Sequence, residues 1–234
     1  MQPIPEQNNS HRPCRRRTLP RGVTIAILIG LVAVIAVVGI ILDSRRDADA
    51  SPWDPVSPKM ISYAFATNPV LPEPRQTVID SASDLVGKVR YFWGGKSKAY
   101  GWDDNWGKLT EVTSEGSSTT GTMRPMGLDC SGFVTWCFIQ TGLSWEEAIA
   151  QVGNGTANQF RLSEEIAWAE LQPGDFAFQN EPGDPEGNHV GICIGFDRKG
   201  EPLFIHCAAS ENDVVATHAD GVFEYARRPM IYAE

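Results

Sequence analysis

The chain has 234 residues, 20 Lys+Arg against 29 Asp+Glu, a formal net charge of -9, and is 42% hydrophobic and 21% charged. Those values exclude a collagen-like chain, a disordered polyampholyte and a small disulfide scaffold, and a single long apolar run excludes a polytopic membrane protein. Residues 1–42 hold five Arg and one Glu, a balance of +4, whereas the remainder holds 15 basic and 28 acidic residues, a balance of -13. An acidic body has no electrostatic reason to hold nucleic acid, because that binding rests on phosphate neutralisation.

The first predicted element is a membrane span. Val23 to Leu42 is twenty residues without a charge, VTIAILIGLVAVIAVVGIIL, long enough at helical rise to cross a hydrocarbon core of about 30 Å. RRRTLPRG precedes it, and in DSRRDAD, which follows, two Arg are offset by three Asp. The positive-inside bias therefore places residues 1–22 as a cytoplasmic tail and the body outside the cell membrane, as a single-pass protein. The rival is a cleaved signal peptide with an A-x-A site at Ala48–Ala50, but its apolar region would run only about 7–15 residues. Residues 43–74 read as an extracytoplasmic tether, since six prolines fall between Ser51 and Pro74 and favour extended chain. The run KMISYAFAT inside it is apolar enough to pack on a domain instead.

Residues 75–234 suffice for one folded core. Val78, Ile79, Ala82, Leu85, Val86 and Val89 recur mostly at three- and four-residue spacing and predict a helix. YFWGG follows, then a polar, Gly- and Ser-rich stretch to Gly127. Further helices are predicted over 131–141, over 144–150 where Ser144 and Glu147 have capping-box spacing, and over 163–170. The runs DFAFQ, HVGICIG, PLFIHCA, VVATH and VFEYA then read as strands between the turn signals EPGDPEGN and DRKG. Helices first and an antiparallel meander afterwards make an α+β domain.

Cys130 opens the second of these helices, in LDCSGFV, with Phe133, Val134, Cys137 and Phe138 along the face it shares. A cysteine in the first turn faces unpaired N–H groups and the positive end of the helix dipole, which favour a nucleophilic thiolate. A cysteine taken alone is more often a core filler. Two histidines raise the interest: His189 opens one strand and His206 lies in the next. If DRKG closes a hairpin that pairs His189 directly with His206, both imidazoles share a face, so one can accept a thiol proton while the other orients it. In that register Cys193 lies on the histidines' face and Cys207 on the other, which disfavours a disulfide between them. No C-x-x-C or H-E-x-x-H pair occurs, so no metal is expected.

YFWGG, LDCSGFV, LQPGDFAF, HVGICIG and LFIHCAAS, in that order over about residues 75–215, resemble the signature blocks of the NlpC-type (p-sixty) cysteine peptidases of bacterial cell walls. The resemblance implies a papain-like fold with N-terminal helices packed on an antiparallel sheet. By position it implies Cys130 as nucleophile, His189 as base and His206 as the residue orienting it. It also implies Tyr91 near the nucleophile, and Asp129 and Ser131 as contacts to the substrate peptide. The reaction implied is cleavage of peptidoglycan stem peptides between γ-D-glutamate and the diamino acid through an acyl-enzyme, with no cofactor. Other thiol chemistry on the same fold, amidase or transpeptidase, and a non-catalytic tethered binding protein are the alternatives. The sequence departs from the pattern in one respect: 34 residues, 96–129, separate Gly95 from Cys130. This insertion, with Tyr100, Trp102 and Trp106, reads either as a groove wall or lid, or as a packed surface loop.

Overall fold

The computed structural model describes residues 54–184 and 187–233. The expected cytoplasmic tail, the membrane span over 23–42 and the start of the tether lie outside them. Among the described residues no helix is long and apolar enough to cross a membrane. Chain order is α1 (Pro58–Thr67), α2 (Glu73–Asp84), β1 (Leu109–Glu111), β2 (Met123–Pro125), α3 (Cys130–Ile139), α4 (Trp145–Gln151), α5 (Thr156–Arg161) and β3 (Ser163–Glu165). A 3-10 turn at Trp168–Glu170 follows, then β4 (Phe176–Phe178), β5 (Val190–Phe196), β6 (Pro202–Ala208), β7 (Asp213–His218), β8 (Tyr225–Pro229) and a last 3-10 turn, Met230–Tyr232. Six strands form one sheet in the order β3-β8-β4-β5-β6-β7, antiparallel throughout. The expected meander is therefore β4 to β7, with β8 returning to pair on the far side of β4.

Helix α3 is central. All ten of its residues are buried, the condition of a helix that is apolar all round and covered on every side. Phe133, Val134, Cys137 and Phe138 share a core with Val78, Ile79 and Ala82 of α2 and with Ile192, Ile194, Leu203, Ile205 and Cys207 of the sheet. The alternate strand residues face the other way: Ala177, Cys193 and Phe204 form a smaller cluster with Leu171, Val222 and Phe223. The period of two along a strand thus gives the sheet two buried faces, one under α3 and one under the loops around Trp168 and Phe223. Among the described residues the cysteines are free and buried, with Cys193 and Cys207 on opposite faces, so the packing prevents their bridging.

Several expectations are corrected by the packing. The capping box of Ser144 and Glu147 forms as expected, but 163–170 is not helical. Ser163 closes α5 by donating its hydroxyl to the Gln159 and Phe160 carbonyls, and Ser163–Glu165 then pairs with β8. Ile166 and Leu171 instead cover the second face of the sheet. The segment from Val56 to Leu71, assigned to the tether, is folded onto the domain. Val56 N–H donates to the Ala216 carbonyl at 2.8 Å and Ala64 is buried in the main core. The Asn68 amide donates to Ile194 O at 2.9 Å, beside the register shift between Cys193 and Gly195 in β5. Gly195 has φ +128°, and a Cβ there would lie 2.4 Å from Asn68 Oδ1; the bulge makes room for this contact.

Candidate active site

Helix α3, which Cys130 opens, is seated by two close backbone approaches. Phe92 N–H donates to Leu128 O, and Leu128 N–H to Arg90 O, at 2.9 and 3.1 Å, so YFWGG runs beside the chain entering α3. A Cβ on Gly127 would lie 1.8 Å from Arg90 O, and one on Gly132 would lie 2.1 Å from Gly95 O. Both contacts are with backbone, which cannot yield, so glycine is required at both positions. Asp129 is the N-cap of α3: its carboxylate accepts from Gly132 N–H at 2.6 Å and from the Ser131 hydroxyl at 2.8 Å. Lys96, which the sequence reading did not single out, completes the cluster. Its ammonium reaches both Asp129 oxygens at 2.6 and 2.8 Å and Ser131 Oγ at 2.7 Å.

Cys130 is therefore in the first turn of α3, 9% exposed. Its sulfur accepts from the N–H groups of Ser131 and Val190. The second donor is the residue after His189, so the thiol abuts the first residues of β5. Tyr91 lies close enough for its hydroxyl to be held un-ionised by burial and by Cys130 and Asp129. The lowering expected for the Cys130 thiol does not hold in the unliganded site. Burial, with the Asp129 carboxylate, pushes it up to about 12, against the opposing pull of Lys96 and the two N–H groups. Removal from water costs the charged form more than the helix end returns.

The two histidines are hydrogen-bonded, His189 Nε2 to His206 Nδ1 at 2.8 Å. The register differs from the expected one by two residues: Ile192 opposes Ile205 and Cys193 opposes Phe204, which sets Gly191, not His189, against His206. A shift of two preserves the face, so the imidazoles still meet. A Cβ on Gly191 would lie 2.6 Å from Phe223 Cζ, and the space it leaves admits the Phe223 ring. That ring stacks on His189 at 5.8 Å and 12° and meets His206 edge-on at 5.4 Å and 89°. On the far side His206 Nε2 contacts Thr217 Oγ1 at 3.0 Å. Burial lowers His189 to about 4 and holds His206 well below the usual imidazole range. At neutral pH the resting site thus holds a thiol and neutral imidazoles.

Cys130, Asp129, Ser131 and Tyr91 come together, and the contact of the thiol with Val190 N–H brings the start of β5, next to His189, against them. Lys96, Phe223 and Thr217 are the residues that sequence spacing missed. Phe223 and Thr217 face the histidines only because the sheet is two-sided. Gly-Asp in LQPGDFAF is structural: Asp175 is fully buried and paired with Arg75 at 2.9 Å and Arg228 at 2.8 Å. The insertion is folded. It carries the β1–β2 pair, and Trp106 enters the main core with Trp136 at 5.4 Å. Its first loop is tied to the end of α3, where Gly101 N–H donates to Gln140 Oε1 at 2.7 Å. Among the described residues Asp197, Glu201 and His218 bring ligand atoms within 4.8 Å of one another, with His218 Nε2 at 3.4 Å from Asp197 Oδ2; this is an ion pair when His218 is protonated.

The profile of the NlpC/P60 family matches residues 87–227. Probable endopeptidase p60 of Listeria grayi is 38% identical over 77 residues, 33% of this chain and only 13% of that protein's length. Among solved structures, the peptidoglycan hydrolase RipB of Mycobacterium tuberculosis is 22% identical, covering 74% of this chain and 72% of its own, with a TM-score of 0.45. RipD of M. tuberculosis, described as a non-catalytic NlpC/p60 domain protein adapted to peptidoglycan binding, is 17% identical, covering 68% of this chain and 98% of its own, with a TM-score of 0.44.

Proposed function

The chain belongs to the NlpC/P60 family, and from that membership we propose that it is a membrane-anchored peptidoglycan hydrolase that cleaves stem peptides between γ-D-glutamate and the diamino acid. The observation that carries the reading is the buried Cys130 at the start of α3, adjoining a His189–His206 pair bonded at 2.8 Å. Charge on neither partner is favoured at rest, so the thiol is activated by general-base transfer as the acyl carbonyl arrives. Its proton passes to His189 while the sulfur bonds to the carbonyl carbon. Backbone N–H groups at the start of α3 stabilise the oxyanion. The C–N bond then breaks and His189 protonates the leaving amine. Water, deprotonated by His189, hydrolyses the thioester to a carboxylic acid and restores the thiol. Asp129, Ser131 and Tyr91 line the approach to the sulfur. The apolar run Val23–Leu42 holds the domain at the outer face of the cell membrane.

The test is incubation of the full chain with purified muropeptides, with products read by mass spectrometry. Cleavage between D-glutamate and the diamino acid is expected, with Cys130→Ala slower by at least about a thousandfold. Release at a different amide would replace the bond assigned here. No cleavage by a folded chain whose Cys130 is also unreactive would replace catalysis with binding.

A further inference from the structure

The contact chain behind the base does not stop at His206. His189 Nε2 meets His206 Nδ1 at 2.8 Å, His206 Nε2 meets Thr217 Oγ1 at 3.0 Å, and the Thr217 hydroxyl donates to the His218 carbonyl at 3.0 Å. His206 and Thr217 are both fully buried. A hydroxyl has one proton to give, whereas each neutral imidazole has one donor nitrogen and one acceptor. The direction of the first bond therefore fixes the rest. With the Thr217 proton on the His218 carbonyl, Thr217 Oγ1 can only accept, so His206 donates from Nε2 and accepts at Nδ1. His189 must then donate from Nε2, which leaves its lone pair on Nδ1, the ring nitrogen nearer the main chain. With Nε2 engaged by His206, Nδ1 is the nitrogen through which His189 would act on Cys130, whose sulfur accepts from the N–H of the next residue, Val190. The reverse arrangement, with Thr217 donating to His206, would put the proton on Nδ1 of both rings, and His189 could not accept from the thiol.

We propose that Thr217, anchored on the His218 carbonyl, is a positioning residue that selects the tautomers of His206 and His189 and so holds the base with its Nδ1 lone pair toward Cys130. The proposal rests on the reading of His189 as the base for Cys130. It does not depend on the wall peptide being the substrate. Phe223 lies over both rings, and Tyr91, Asp129 and Lys96 are the charged or titratable groups about Cys130.

Two readouts test it on the full chain. Nitrogen-15 NMR of histidine-labelled protein at pH 7 reports the protonated nitrogen of each ring, and is expected to show Nε2–H for both His189 and His206. In Thr217→Val, which removes the Oγ1 acceptor of His206 Nε2–H, the pair is expected to shift mainly to the Nδ1–H tautomers, and Thr217→Ser is expected to restore the original ones. The rate of Cys130 alkylation by iodoacetamide, followed by mass spectrometry of the Cys130 peptide, is expected to fall roughly tenfold in Thr217→Val and to stay within about twofold in Thr217→Ser, as loss of a base requires. Nδ1–H on His206 in the unmodified chain would overturn the proposal, as would a Thr217→Val chain with unchanged tautomers. If Thr217→Val does not fold, the spectrum of the unmodified chain decides alone. Failure to cleave muropeptides leaves these signals untouched, so the substrate reading and the tautomer reading can fail separately.

Discussion

At His189 and Cys130 the ordering of two opposing effects sets the chemistry. Helix-start N–H groups and Lys96 favour a thiolate, but burial and Asp129 outweigh them, while burial alone holds His189 to about 4. The sign for activity follows: a base must be unprotonated to accept, so kcat/KM should be level through pH 6–8 and fall below about pH 4, not near the usual imidazole value of 6.5. A preformed thiolate–imidazolium pair predicts differently, because Cys130 alkylation would then be level from pH 5 upward. In the neutral pair, alkylation near pH 7 relies on His189 as base, and direct ionisation of the thiol then makes the rate rise further toward pH 10. The linkage sign for stability is the same. Histidines whose folded values lie below 6.5 take up protons more readily when unfolded, so stability is intact above that pH and is lost as pH falls toward 4. A melting temperature that drops across that window supports both statements.

At the scale of elements, the helix that Cys130 opens was legible because its signal is local. A first-turn cysteine and apolar positions after it describe one helix, and the structure starts that helix at Cys130 with Asp129 as its cap. The histidine pair was legible in face though not in register, since a slip of two residues changes neighbours without changing the side of the sheet. Lys96, Phe223 and Thr217 were not legible, because their roles depend on strand order and on which loop crosses which face. Residues 163–170 misled for the same reason: their apolar spacing serves a sheet face and an edge strand. Gly191 joins these two kinds of information. It sits in β5 opposite His206, and only the absence of a Cβ lets Phe223 reach both rings. Gly191→Ala should displace Phe223, destabilise the domain by about 1–3 kcal/mol, and lower kcat more than it changes KM. Thermal melts and steady-state kinetics on the variant check this. A variant with native stability and native kcat would show that the ring contact is dispensable.

For the whole molecule, the informative difference is where the domain begins. The prolines of residues 51–74 suggested a spacer, yet proline at the first turn is compatible with a helix, and both α1 and α2 start that way. Met60, Ile61, Phe65 and Leu71 pack against the main core around the buried Ala64, and Asn68 bonds the β5 bulge. A fragment beginning at Arg75 would also cut α2 after its second residue, losing the first-turn Glu73 and Pro74. Each apolar side chain withdrawn from water stabilises by about 1.5–3 kcal/mol when fully buried, and these four are partly buried. Their joint loss, with the Val56 and Asn68 hydrogen bonds, is therefore worth about 3–5 kcal/mol. For a domain of this size that corresponds to a melting temperature lower by roughly 10 °C or more. The comparison is between chains starting at Ser51 and at Arg75. Equal melting temperatures would mean that residues 54–72 decorate the domain, whereas the expected drop makes them part of it. In the second case the domain itself reaches to about Val56.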